Sequence, residues 1–293
     1  MRQYDFMYHR ADQLPREYRD QLWKFVSIQI SLEGGMANET GIEKPLFLKV
    51  PDAKHRNFLD YKMAGEAVHA YGLFQIAKDI GYDPHVFVAE IRRNPQKSRA
   101  LDAFKLDYIY QTHLAFEVFS MLTELAGGIA SIAMMGSTYV PWAMWNARNF
   151  LDEGMEHSVI STNNVRQYVE SGQRAEAQSL YDRLYPYALD LFGRAGSENE
   201  ERYLRFGIKT MTNTECRVIW IRMIRDRTAQ AGLTFPKDPY QGMRGRYDEC
   251  REGVESNWGV AVVQHAQQLA SAVAQPTLPG THSGESTAQP HVE

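Results

Sequence analysis

Glu66-Ala67-Val68-His69 lies in the middle of a long stretch of helical periodicity, and its reading decides the fold. A Glu-x-x-His pair puts a carboxylate and an imidazole one turn apart on one helix face. Helical bundles assemble dinuclear metal centres from such half-sites, adding a lone Glu from each of two further helices. In a chain of 293 residues one such spacing arises readily by chance. Its weight comes from what surrounds it. Glu33 lies upstream, Glu124 downstream, and Asp152-Glu153-Gly154-Met155-Glu156-His157 follows.

Working outward, the chain reads mostly as helix. Pro15 suits a first-turn position, and Leu22, Phe25, Val26, Ile28 and Leu32 keep an apolar face up to Gly34-Gly35. Asp52 is a plausible N-cap for a second helix over residues 53–80, stopped by Gly81. A short helix near 85–92 leads to a third long one over 100–135. The turn Ser137-Thr138-Tyr139-Val140-Pro141 opens a fourth, reaching about residue 172. Helices over 175–192 and 198–231 and a weaker pattern over 252–274 complete the series. From Gln275 onward Pro276, Pro279, Gly280, Gly284 and Pro290 stand among Ser, Thr and Gln, which predicts a disordered tail after one helical domain over 1–274.

The bulk composition narrows the function. With 44% hydrophobic residues the chain can bury a full core, and a net charge of −4 gives no electrostatic case for nucleic acid. Cys216 and Cys250 are too few for a disulfide framework or a thiolate metal site, which fits a reducing cytoplasm. Residues 1–10 are polar and do not read as a signal peptide. The most apolar stretch, 114–135, is long enough to cross a bilayer but is interrupted by Glu117 and Glu124. It reads as a buried core helix rather than a membrane span.

One carboxylate-bearing position falls on each of four consecutive long helices: Glu33, Glu66 with His69, Glu124, and Glu153 with His157. Hard oxygen ligands with a few imidazoles are what two iron ions require, with positions left open for dioxygen. Taken singly each has a plainer reading: Glu33 as a solvated helix end, His69 as a core histidine, 152–157 as a polar face. Glu124 is harder to dismiss. It sits among Met121, Leu122, Leu125, Ala126 and Ile129, where an unpaired ionised carboxylate costs several kcal/mol. Glu117, two turns earlier, competes for the same role. Glu153 and His157 are i,i+4, and the i,i+3 partner of Glu153 is Glu156. We read His157 as the ligand, since a π-bulge restores the usual geometry, with Glu156 as the alternative.

The chain also resembles the catalytic, oxygenase-subunit family of the ring-epoxidising phenylacetyl-CoA monooxygenases, within the ferritin-like superfamily. The resemblance covers about residues 18–239. It rests on Ser31-Leu32-Glu33 with Gly35-Met36, Gly65-Glu66-Ala67-Val68-His69, Thr138-Tyr139-Val140-Pro141, Phe206-Gly207-Ile208-Lys209, Thr212-Asn213-Thr214-Glu215 and Gly232-Leu233-Thr234-Phe235-Pro236. It implies a ferritin-like four-helix bundle with additional C-terminal helices. The family's ligands fall on Glu33, Glu66, His69 and Glu153, its third-helix Asp on Glu124, and its second His on Glu156, with His157 one residue beyond. That last departure leaves the second ion's ligand set open.

The resemblance further implies a di-iron enzyme inserting one oxygen atom from dioxygen into an aromatic acyl-CoA, with manganese or a mixed pair as other metal choices. Electrons would come from a separate flavin and iron–sulfur reductase, and a metal-free helical subunit would be its partner. The chain has no dinucleotide fingerprint or cysteine cluster of its own. Met63, Phe116, Phe119 and Met155 are expected pocket walls. Glu215 is either a partner of a ligand histidine or a solvated charge. Two rivals stand beside this reading: a di-metal oxidase or hydroxylase acting on a non-CoA substrate, and a metal-free structural subunit.

Overall fold

The computed structural model describes residues 6–38, 49–93, 109–241, 243, 246–256, 264 and 268, and the side chains of 32–38, 91 and 92 lie outside that description. Among the described residues every element is helical, apart from an isolated bridge between Tyr8 and Tyr139. Helix α1 (Arg16–Asn38) buries Tyr18, Leu22, Val26 and Ile30, an i,i+4 series, and continues through Gly34-Gly35 where the sequence suggested an end. Helix α2 (Ala53–Asp79) starts where Asp52 accepts a hydrogen bond from the His55 amide at 3.0 Å. It ends before Gly81, whose φ of 92° is the left-handed turn that a Cβ disfavours. Helix α3 is short (Pro84–Arg93).

Helix α4 (His113–Met135) is the buried axis of the molecule. Among the described residues it is the one helix long and apolar enough to cross a membrane, and most of it is covered by its neighbours here. It begins later than the sequence suggested. Thr112 is extended and its hydroxyl accepts from the Ala115 amide at 3.0 Å, which caps the helix at that point; residues 94–108 lie outside the description. The fourth rod is built from α5 (Val140–Asn149), a π-helical segment π1 (Phe150–His157), α6 (Ser158–Tyr168) and a second π segment π2 (Val169–Gln173). It breaks at Gly172, with φ 95°.

Helices α7 (Arg174–Asp190), α8 (Glu198–Phe206), α9 (Asn213–Gln230) and α10 (Tyr247–Glu255) follow. The single helix expected over 198–231 is two. Gly207 turns left-handed at φ 71°, and Thr212 starts α9 with a reciprocal capping box to Glu215. Beyond α10 the expected helix over 252–274 is described only at residue 256 and at residues 264 and 268, the last two helical, and the expected tail over 275–293 lies outside the described residues.

Two apolar clusters hold the rods together. One surrounds α4 with residues of α7 and α9, including Tyr181, Tyr185 and Trp220; the other joins α1, the C-terminal half of α2, α5 and α8 through Leu22, Leu73, Trp142 and Phe206. Each fully buried Leu or Phe contributes roughly 1.5–3 kcal/mol, so these faces dominate the stability. The all-α bundle expected from the sequence is the architecture observed.

Candidate metal centre

Three helices bring acids and imidazoles into this apolar interior. The inward face of α2 carries Lys62, Glu66 and His69, that of α4 carries Glu117, Ser120 and Glu124, and π1 carries Glu153 and His157, all buried. Donor atoms of Glu66, Glu124 and His157 lie within 4.8 Å of one another, and so do those of Glu66, His69 and Glu153. The two groups share Glu66, and each could hold a metal ion. Within them His157 Nδ1 is 3.3 Å from Glu124 Oε2, and His69 Nδ1 is 3.8 Å from Glu153 Oε1 and 4.0 Å from Glu66 Oε2.

The π segment decides which residue of 152–157 faces inward. The Ser158 amide donates to the Glu153 carbonyl five residues back, so this turn is wider than an α turn. Glu153 and His157 then share the inner face, while Glu156 is exposed and accepts a hydrogen bond from the Tyr61 hydroxyl. The helices also approach closely here. A Cβ on Gly127 would collide with the Glu153 carboxylate, and one on Gly128 would fall 2.5 Å from the Gly154 Cα. These glycines on α4 make the room in which Glu153 sits.

The surrounding residues orient the donors. Asp152 Oδ2 lies 3.0 Å from His69 Nε2, which leaves Nδ1 turned toward Glu66 and Glu153. A carboxylate behind an imidazole fixes its tautomer and raises its basicity as a ligand. The Trp145 indole N–H donates to the backbone carbonyl of His69 at 3.1 Å. Lys62, 1% exposed, donates to Ser120 Oγ at 2.7 Å and forms an ion pair with Glu124, its ammonium 5.0 Å from the Phe116 ring centre.

Electrostatics set the acids apart. Burial alone would raise Glu124, but the Lys62 ammonium and His157 outweigh it and hold its carboxyl down at about 2. Burial likewise works against the Lys62 charge, and Glu124 and Glu66 overcome it, so its pKa is raised. Glu153 goes the other way: burial, then the neighbouring Glu124 and Glu66, push it well above the carboxylate range. One ammonium thus faces three buried carboxylates. That imbalance is what a bound cation would relieve.

Of the six ligands expected from the sequence, Glu66, His69, Glu124, Glu153 and His157 converge. Glu33 falls on α1, and its side chain lies outside the described residues. Glu117 stands apart, taken up by its own partners. Asn164 Nδ2 donates to its Oε1 at 3.0 Å, and His113 Nε2 lies 3.0 Å from the same oxygen. Among the expected pocket walls Phe116 and Phe119 are buried and Met63 partly so, but Met155 is half exposed on the outer side of π1. Glu215 has neither expected role, since its carboxylate accepts from the Thr212 amide at 2.6 Å and caps α9. Sequence reasoning missed Lys62 and Asp152 as members of the site. Lys62 stands one turn before Glu66 on the same face and Asp152 directly precedes Glu153, which were the available signals.

No curated protein matches the chain. A family profile does, over residues 62–274, and that span contains every converging residue described above. With the match covering the greater part of its length, the chain belongs to the family of phenylacetic acid catabolic proteins.

Proposed function

We propose that this chain is the oxygenase component of a dinuclear metal monooxygenase acting on an aromatic acyl-CoA. The observation that carries the proposal is the pair of donor groups sharing Glu66 in the interior, with Glu124 and His157 on one side and His69 and Glu153 on the other. Membership of a family named for phenylacetic acid catabolism supports an aromatic substrate.

The donor set fits iron or manganese: hard carboxylates with one imidazole on each side and no thiolate. Two iron ions there would supply the redox chemistry of dioxygen, and Glu33 would complete the carboxylate complement. The chain's own residues do the rest. Asp152 holds His69 in the tautomer whose Nδ1 faces the site, and Lys62 holds Glu124 ionised. Phe116, Met121 and Leu125, buried on α4, keep water from the site's surroundings. Electrons would enter from a separate reductase, and a second helical subunit would be the structural partner.

The test is oxygen consumption by the iron-loaded protein with a reductant, comparing phenylacetyl-CoA with free phenylacetate. Consumption coupled to an oxygenated thioester, with the free acid inert, is the expected result. Equal use of the free acid would favour a hydroxylase for a non-CoA substrate, and iron-free inert protein would favour a structural subunit.

A further inference from the structure

Beside His69 lies a pair of indoles that offer no donor atom to a metal. Trp145 packs its ring edge-on to the His69 imidazole, with centroids 6.3 Å apart at 78°, and donates its N–H to the His69 carbonyl. Trp142 stacks on Trp145 with ring planes 4° apart and centroids at 5.2 Å. Trp142 is fully buried and its Nε1 has no hydrogen-bond partner, whereas Trp145 is only partly buried. Gly72 on α2 makes the seat: a Cβ there would fall 2.5 Å from Trp145 Cδ1. The helix is thus cut away where the indole meets it. An apolar ring of any kind would fill this space, but an indole gives up an electron without losing a proton more readily than the other aromatic side chains, and stacking shares a missing electron between two of them.

We infer that the Trp145–Trp142 pair is the exit for oxidising equivalents generated at the candidate metal centre when no substrate consumes them, a role that rests on the metal-centre reading above. Trp145 gives one electron to the centre beside His69 and becomes an indole radical cation. It keeps its Nε1 proton, because the carbonyl it faces is not a base. Trp142 shares the vacancy by passing an electron to Trp145, and its own N–H has no acceptor. A soluble one-electron donor such as ascorbate returns the electron at the accessible edge of Trp145 and leaves as its own radical. Without a donor, a second electron passes to the same oxidising centre, water adds to the ring, two protons are released to solvent, and hydroxytryptophan remains. The pair would thereby spare His69 and the carboxylates from oxidation.

The test is made on the full chain, loaded anaerobically with ferrous iron, assayed for bound iron, then exposed to dioxygen without substrate and mapped by peptide mass spectrometry. The expected result is addition of single oxygen atoms at Trp145 and Trp142, suppressed by ascorbate and absent from zinc-loaded protein. Met144 and Met155, both at least half exposed, should stay unmodified, since they report freely diffusing peroxide. Trp145→Phe should lose these products, move oxidation to His69 and shed iron faster. Gly72→Ala keeps the indole but displaces it, and a helix accepts alanine readily. Oxidation of Trp145 should fall in that variant although the ring is more exposed. Bound iron with both tryptophans intact, or undiminished Trp145 oxidation in Gly72→Ala, would overturn the inference alone. Failure to bind iron would overturn the metal-centre reading and the inference with it.

Discussion

Helix α4 carries two buried glutamates two turns apart, and their surroundings differ in a way that separates structure from function. Glu117 is enclosed by Asn164 and His113, and the far nitrogen of His113 lies 2.9 Å from the Tyr168 hydroxyl. That cluster is a single acid with an amide donor on one oxygen and an imidazole beside it. Glu124 sits where α2 and π1 bring two more carboxylates, two imidazoles and a single lysine. The second cluster has more negative charge than its own cations neutralise, and burial first, then Glu124 and Glu66, push Glu153 toward its protonated form. A buried acid is therefore a weak signal by itself. Its neighbours decide whether it is a core ion pair or half of a cation site.

The largest expected effect breaks the comparison at the Glu124 end. Glu66→Ala removes the carboxylate common to both donor groups, and iron retained after loading should fall from about two per chain to near zero. Glu117→Gln preserves the shape and contacts of its cluster and should leave iron unchanged. Plasma emission spectroscopy on the two purified variants reads both outcomes at once.

Next in size is Lys62→Met. In metal-free protein it leaves Glu124 buried without its counter-charge and should cost about 3 kcal/mol, seen as an earlier urea midpoint. Iron loading should recover most of that loss, because the cation replaces the missing ammonium. If loading recovers nothing, Lys62 is a core residue in the sense that His113 is.

A smaller effect appears in the pH dependence. Glu153 is raised well above its ordinary 4.5, first by burial and then by Glu124 and Glu66. Above 4.5 the unfolded chain releases a proton that the folded metal-free protein keeps. Stability should therefore fall as pH climbs from 4.5 toward the raised value, with a slope of up to about 1.4 kcal/mol per pH unit. Thermal melts of metal-free Glu153→Gln over the same interval should lack that contribution. The smallest effect is expected at Glu156→Ala. The residue is exposed, so iron content should hold and stability should change by less than about 0.5 kcal/mol. Loss of iron there would return the ligand role from His157 to Glu156.

Much of the fold was legible in the sequence because its signals are local. Asp52 before α2, Gly81 after it and the apolar face of α1 through Leu22 and Val26 each act within one or two turns, although Ile28, read onto that face, is exposed. The split between α8 and α9 was local too, written in Gly207 and in Thr212 with Glu215, and was outweighed by a continuous helical pattern across 198–231. Five of the expected donor residues were legible and do converge, while their supports were less so. Glu66 with His69 announces itself by spacing. Lys62 opposite Glu124 and Asp152 behind His69 are meetings between helices, which no single-helix pattern encodes. Glu117 and Glu124 look alike in sequence for the same reason, since the residue that marks Glu117 as structural, Asn164, is 47 positions away.

The central claim is that Glu66 joins two cation sites, and metal content tests it most directly. Protein produced in iron-replete cells and measured by plasma emission spectroscopy should carry about two irons per chain. Near-zero metal after aerobic and anaerobic reconstitution would contradict it and leave the buried carboxylates without the cations that their arrangement calls for.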